Sequence, residues 1–318
     1  MELRHYTKLS KADLIQRIEK AKIEKNIRIL AHNYQRPEVQ EVADYLGDSL
    51  DLATKAQALN CQSVLLCGVL FMAETAKILN PELRVLIPDL NATCQLADTI
   101  SIEELHQAKE EHPDAVVVSY VNTSALVKAA SDLCCTSANA AHVVNSIPPG
   151  REILFVPDRN LGKWVADCTG RHLILWNGFC YVHEYMTEAD VETAKTEHPQ
   201  AKLVVHPECT PRVAHHAHLI TSTNGMVHFA NEAEELIVGT EIGLIERLKR
   251  EYPLKKFHPL CASAICATMK LITLDKVCWA LENDQYPVEL NPEVIAMARS
   301  AIEKMIALRG ITNPPSKR

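Results

Sequence analysis

Two octapeptides, AKEEHPDA at 108–115 and AKTEHPQA at 194–201, decide the fold. They lie 86 residues apart, and each leads into a short apolar run, AVVVSY and AKLVVH. Self-similarity at a fixed spacing marks an internal repeat. Carried forward, the same offset pairs Tyr120 with His206, Asn122 with Glu208 and Ser137 with Thr223. The first third of the chain joins with a two-residue slip. RILAHNY places His32 at the end of an apolar run, and Ser49 follows 17 residues later. The same 17 residues separate Tyr120 from Ser137 and His206 from Thr223. Cys94, Cys180 and Cys266 are spaced 86 and 86 and complete the pattern.

Periodicity identifies the repeating unit. Short Val/Ile/Leu runs (RILAH, SVLLCG, RVLIPD) alternate with amphipathic stretches such as ISIEELHQAKEEH. Fully apolar short runs suit strands buried on both faces, and the alternation suits parallel βαβ units. The expectation is an α/β chain of three Rossmann-like units, residues 26–111, 112–197 and 198–283, related by a pseudo-threefold axis around a central active site. A helix over 10–25 precedes them, with Ser10 as N-cap. A helix over 291–309 follows, with Asn291 as N-cap, Pro292 at its first position and Gly310 as its stop.

Composition narrows the function. The 318 residues are 47% hydrophobic and 23% charged, which fits a folded globular chain rather than a disordered one. A net charge of −7 disfavours nucleic acid or an anionic membrane as partner. Five Phe, eight Tyr and three Trp are too few for a base-stacking platform. No apolar run reaches the ~18 residues of a membrane span. The N-terminal MELRHYTKLSKADLIQRIEK lacks a signal-peptide core, so a cytoplasmic location is expected. There is no G-x-G, no phosphate-loop signature and no G-x-S-x-G elbow.

In open parallel sheets, ligands bind beyond the carboxyl ends of the strands. His32, Tyr120 and His206 sit at such ends, and Ser49, Ser137 and Thr223 sit in polar segments placed to open helices. Hydroxyls beside helix N-termini suit carboxylates or a phosphate. Three repeat-related thiolates suit zinc or an iron–sulfur cluster. A cubane held by three cysteines keeps one open iron, which is a Lewis acid. The residues alone also allow a three-cysteine zinc- or thiol-dependent lyase, or a non-catalytic dicarboxylate-binding protein. Eleven cysteines, odd in number and widely spaced, do not read as a disulfide framework. Cys61, Cys67, Cys134, Cys135, Cys168, Cys209 and Cys278 lie in or beside apolar runs and read as core. His215, His216 and His218 form the cluster RVAHHAH, but adjacent side chains on a helix point apart, so it does not read as a metal site.

The chain resembles the quinolinate synthase family of de novo NAD biosynthesis over about residues 28–281. The marks are AHNYQ (31–35), GDSLDLA (47–53), CGVLFMAETAKILNP (67–81), NATC (91–94), YVNTSA (120–125) and CTSANA (135–140). They continue with VPDRNLG (156–162), WNGFCYVHE (176–184), HPEC (206–209), TSTNGM (221–226) and CATMKLITL (266–274). The resemblance implies condensation of iminoaspartate with dihydroxyacetone phosphate to quinolinate, with loss of phosphate and two waters. It implies one 4Fe-4S cluster on Cys94, Cys180 and Cys266. It implies substrate contacts from His32, Ser49, Tyr120, Asn122, Ser137, His206, Glu208 and Thr223, and acid/base or other active-site roles for Tyr34, Glu208 and His183. An aspartate oxidase or dehydrogenase upstream and the iron–sulfur assembly machinery are the implied partners. Cys261 and Cys266 are five apart rather than in C-x-x-C spacing, which departs from relatives able to form a regulatory disulfide there.

Overall fold

The computed structural model describes residues 2–59 and 61–308; Gly310 and the last residue of the expected 291–309 helix lie outside them. The first sheet holds β1 (Ile27–His32), β2 (Tyr45–Gly47), β3 (Ser63–Cys67) and β4 (Arg84–Leu86). The second holds β5 (Val116–Tyr120), β6 (Leu133–Cys135), β7 (Ile153–Val156) and β8 (Ile174–Leu175). The third holds β9 (Lys202–Val205), β10 (Leu219–Ile220), β11 (Glu235–Gly239) and β12 (Lys256–Pro259). Every pairing is parallel, and each sheet has the same order, with its second strand at one edge, then its first, third and fourth. The chain is thus an α/β protein of three like sheets, as the repeat implied.

Parallel strands need a crossover between them, usually a helix. The sequence supplies one after most strands. The helices Ile102–Glu111 and Glu188–Glu197 both open on capping boxes, Ser101 with Glu104 and Thr187 with Asp190, 86 residues apart. Both end in the octapeptides quoted above, with His112 and His198 as C-caps before a proline. A second mark recurs in all three sheets. The N–H of Ile29 donates to Asp44 Oδ2 at 2.7 Å, that of Val117 to Asp132 Oδ2 at 2.8 Å, and that of Leu203 to His218 Nδ1 at 2.9 Å. Each acceptor residue returns its own N–H to the same partner's carbonyl. This pair fixes where the edge strand starts against the first strand. It also gives His218 a structural task, so the RVAHHAH cluster is divided.

Apolar residues on the strands fill the cores. In the second sheet Ile100, Leu105, Ala108, Val117, Val127, Leu154 and Val156 form one buried cluster, with Ile174 and Trp176 against it. The chain divides into two compact units, Met1–Cys94 with Cys266–Ile295, and Gln95–Ile265 with Ala296–Arg318. The first holds the first sheet and the second holds the other two. Ser10 caps the helix Lys11–Glu24 by accepting from the Asp13 N–H. Asn291 Oδ1 accepts from the Glu293 N–H at the start of the helix Pro292–Ala307.

No cysteine among the described residues is in a disulfide. Cys67, Cys134, Cys135, Cys209 and Cys278 are buried, as expected of small apolar side chains. Cys168 departs from that expectation: it is exposed in the last turn of the helix Arg159–Thr169, and Cys61 is only half-buried. Both lie at the end of an element or beyond it.

Candidate active site

The three strand ends turn in related ways. His32 closes β1 opposite Gly47, and Tyr120 closes β5 opposite Cys135. His206 follows β9, and its N–H donates to the carbonyl of Gly239 at the end of β11. Gln35 N–H returns to His32 O, and Cys209 N–H to His206 O, both at 3.0 Å. These turns aim a backbone donor at the preceding ring. Tyr34 N–H meets His32 Nδ1 at 3.2 Å, and Glu208 N–H meets His206 Nδ1 at 3.4 Å. A neutral imidazole that accepts at Nδ1 carries its proton on Nε2. His206 Nε2 therefore donates to Ser137 Oγ, 3.2 Å away. The histidine of the third repeat meets the hydroxyl of the second.

The unit Gln95–Ile265 builds a buried polar network around Glu208. Glu208 is 3% exposed, His183 1%, His206 3% and Tyr120 5%. Glu208 Oε2 lies 2.8 Å from His183 Nδ1 and 3.7 Å from His206 Nδ1, and the carboxylate also accepts from the Tyr120 hydroxyl. His183 Nε2 lies 2.9 Å from Thr240 Oγ1, and its ring stacks on His206 at 4.8 Å between centroids. Burial pushes the Glu208 carboxyl up, but His206, His183 and Tyr120 outweigh it and hold it at about 2. Burial drives His206 down to about 3, further than Glu208 raises it, so its ring is neutral at pH 7. The network holds one fixed negative charge ringed by proton donors and acceptors.

Cys180 stands beside this network. Its thiol, one His183 nitrogen and one Glu208 oxygen lie within 4.8 Å of one another. Gly178 lets the turn before Cys180 come close, because a Cβ there would overlap the Thr99 hydroxyl and the Pro157 carbonyl. The Cys180 N–H donates to Asp158 Oδ2 at 3.2 Å, while Asp158 Oδ1 caps the helix Arg159–Thr169 through Leu161 N–H. Burial and the Glu208 charge raise Asp158 well above the carboxylate range. Glu208 rather than Asp158 therefore carries the charge. Asn160 Nδ2 donates to the Glu208 carbonyl at 3.1 Å.

Asp158, Asn160 and Thr240 are absent from the repeat-derived set. Val156 pairs with Ser119 and Gly239 with Val205, so these strand ends correspond, yet they are 83 residues apart rather than 86. A three-residue shortening between strands hid Asp158 and Thr240 from a fixed offset. The signal available in the sequence was VPDRNLG itself.

The hydroxyls are placed as follows. Ser49 and Thr223 are the first residues of the helices Ser49–Gln57 and Thr223–Phe229. Their neighbours do the capping: Asp48 accepts from Leu50 and Asp51 N–H, and Ser222 accepts from Gly225 N–H. Ser137 lies in the turn before the helix Ala140–Ser146, where Asn139 Oδ1 accepts from Thr136 N–H. None of the three caps a helix. Asn122 is half-buried in the turn after β5.

The unit Met1–Cys94 with Cys266–Ile295 carries the rest. Buried His32 packs edge-on against Tyr34 at 4.6 Å. The segment after Cys266 is tied to the turn after His32: Gln35 Nε2 donates to Met269 O at 3.2 Å, Arg36 Nε to Lys270 O at 2.9 Å, and Lys270 Nζ to Tyr34 O. Cys94 and Cys266 are half-buried, and both lie in the loop after the fourth strand of a sheet, as Cys180 does.

A family model described as NadA, quinolinate synthetase A protein, matches residues 16–307. The quinolinate synthase of Thermodesulfovibrio yellowstonii is 46% identical over 297 residues, covering 92% of this chain and 98% of that one. That of Methanoregula boonei is 48% identical, covering 93% and 98%, and that of Thermococcus onnurineus is 47% identical with the same coverage. Matched from its first long helix to its last, and sharing nearly half its residues with proteins of that name, the chain belongs to the quinolinate synthetase A family.

Proposed function

We propose that this chain is a quinolinate synthase that joins iminoaspartate to dihydroxyacetone phosphate, giving quinolinate, phosphate and two waters. The observation that carries the reading is the buried Tyr120–Glu208–His183–His206–Ser137 network beyond the carboxyl ends of parallel strands, in a chain of this family. Carbon–carbon bond formation, isomerisation, imine closure and dehydration all need proton transfers, and side chains poised near their partners supply them. Ionised Glu208, too weak a base at about 2 to deprotonate carbon, stabilises the positive charge that His183 gains when its ring takes a proton. Tyr120, already donating to Glu208, returns a proton to a leaving oxygen, and neutral His206 donates a hydrogen bond from Nε2 to the charge that develops there. His183 holds the Glu208 carboxylate in place and links it to Thr240. His32, Ser49, Asn122, Ser137 and Thr223 bind the carboxylates and the phosphate, and Tyr34 takes part in proton transfer.

The donor set fits a 4Fe-4S cluster on Cys94, Cys180 and Cys266. These thiols are half-buried and follow the fourth strand of each sheet, while desolvation pushes the core thiols of Cys134 and Cys278 up to about 12, unfit to ligate as thiolates. Bound there, the cluster would supply a Lewis-acidic iron for the substrate's leaving hydroxyl. Among the described residues no helix is long and apolar enough to cross a membrane. We place the activity in the cytoplasm, fed by an aspartate oxidase or dehydrogenase and dependent on iron–sulfur assembly. The test is an anaerobic assay that supplies both substrates and then omits each in turn. Quinolinate and phosphate in equal amounts, only with both present, support the reading; no quinolinate from cluster-loaded protein overturns it.

A further inference from the structure

We propose that His198, Glu235 and His258 form a second metal site, for one divalent transition-metal ion such as zinc. The proposal stands independently of the quinolinate reading. Each ligand comes from a different element of one unit. His198 is the C-cap of the helix Glu188–Glu197, where its N–H closes on Ala194 O before the chain turns at Pro199 into β9. Glu235 opens β11, and His258 is the third residue of β12. Glu235 pairs in register with Lys256 and Ile237 with His258, so Glu235 and His258 are diagonal neighbours on one face of the sheet. From Glu235 to Gly239, whose carbonyl holds His206, is about 13 Å at ~3.3 Å per residue. This cluster is therefore at the opposite end of the sheet from the network around Glu208.

Both rings aim a nitrogen at one carboxylate oxygen. Glu235 Oε1 lies 2.9 Å from His258 Nε2 and 3.8 Å from His198 Nδ1. The two imidazoles stack face to face, 3.4 Å between centroids and 13° apart in plane. One possible ligand atom from each of the three lies within 4.8 Å of the others. Tetrahedral zinc with bonds of about 2.0–2.1 Å spaces its ligand atoms about 3.3 Å apart, and the ion is seated once the two rings turn out of their parallel stack so that both in-plane lone pairs meet it. Two imidazoles and a carboxylate select zinc or nickel over magnesium or calcium. All three side chains are half-buried, which leaves the fourth position to water. The carbonyl end of the helix Glu188–Glu197 points its negative dipole end at the cluster and favours a cation. Lys256, exposed on the same face, is the one nearby cation in register with Glu235 that opposes binding.

The test is equilibrium dialysis of the cluster-loaded protein against zinc, alongside His198→Gln, His258→Gln and Glu235→Gln. The wild type is expected to bind one more zinc per chain than either histidine variant, and Glu235→Gln to weaken that equivalent at least tenfold. Cobalt loaded in its place is expected to lack a thiolate-to-metal charge-transfer band. Iron content, quinolinate formation and metal-free melting temperature should match the wild type in all three variants, which separates loss of ligation from loss of fold. Equal zinc stoichiometry and affinity in the wild type and both histidine variants would overturn the proposal, as would a thiolate band from the equivalent that the variants lose.

Discussion

His206 carries one consequence of its burial that can be measured without substrate. Folding holds the ring at about 3 against an ordinary 6.5. As pH falls below 6.5, the unfolded chain takes up a proton that the folded chain refuses. Stability is therefore full above that value and declines towards 3, by at most about 1.4 kcal/mol per pH unit for one proton. Glu208, held at about 2 against 4.5, also loses its contribution as pH falls, but only below 4.5. Asp158, raised well above its unfolded value, acts in the opposite sense over the same range, so the difference between wild type and His206→Gln in denaturant unfolding between pH 6.5 and 5 isolates His206, and the variant should lose that part of the decline. The hydroxyls give the second expectation at this scale. In the proposed substrate-binding role of Ser49, Ser137 and Thr223, replacing each by Ala removes a hydrogen bond to a charged substrate group, worth roughly 1.5–3 kcal/mol. kcat/KM should fall about tenfold to a hundredfold, with little change in melting temperature for Ser49→Ala and Thr223→Ala, since neither residue caps a helix, whereas Ser137→Ala should also lower it by leaving the buried His206 Nε2–H without its acceptor. Lowered melting temperatures with unchanged kinetics would assign them a purely structural role.

The elements explain which of these residues the sequence could reveal. Residues 17 apart stand out because the first strand, crossover and edge strand keep one length in all three sheets, pinned by the Asp44, Asp132 and His218 side chains. Asp158 stayed hidden because the path to the third strand changes length. It does two tasks at once, capping the helix Arg159–Thr169 and holding the Cys180 N–H. Asp158→Ala should cost about 1 kcal/mol in stability as a lost cap and also lower iron retention, which colorimetric iron determination on the refolded variant checks. Ser222 makes the contrasting case. Ser222, not its neighbour Thr223, caps the helix Thr223–Phe229. Ser222→Ala should lose about 1 kcal/mol in chemical denaturation, and Thr223→Ala should not.

For the whole molecule, three sheets of one strand order were legible because an 86-residue repeat of apolar runs admits few other folds. The buried pairing of His206 with Ser137 and of His183 with Glu208 was not, since contacts between repeats leave no periodic trace in a sequence. The cysteines lie between these cases: their spacing was plain, but only the fold separates half-buried Cys94, Cys180 and Cys266 from core thiols such as Cys134. The central claim is that these three repeat-related cysteines hold one cluster and that quinolinate formation depends on it. It is tested most directly by measuring iron, sulfide and quinolinate on anaerobically purified wild type, Cys94→Ala, Cys180→Ala, Cys266→Ala and Cys168→Ala. The account predicts about four irons and four sulfides per chain with full activity in the wild type and Cys168→Ala, and loss of both cluster and activity in each of the other three. Full iron and activity in any one of those three, or a colourless wild type with zinc in place of iron, would contradict it.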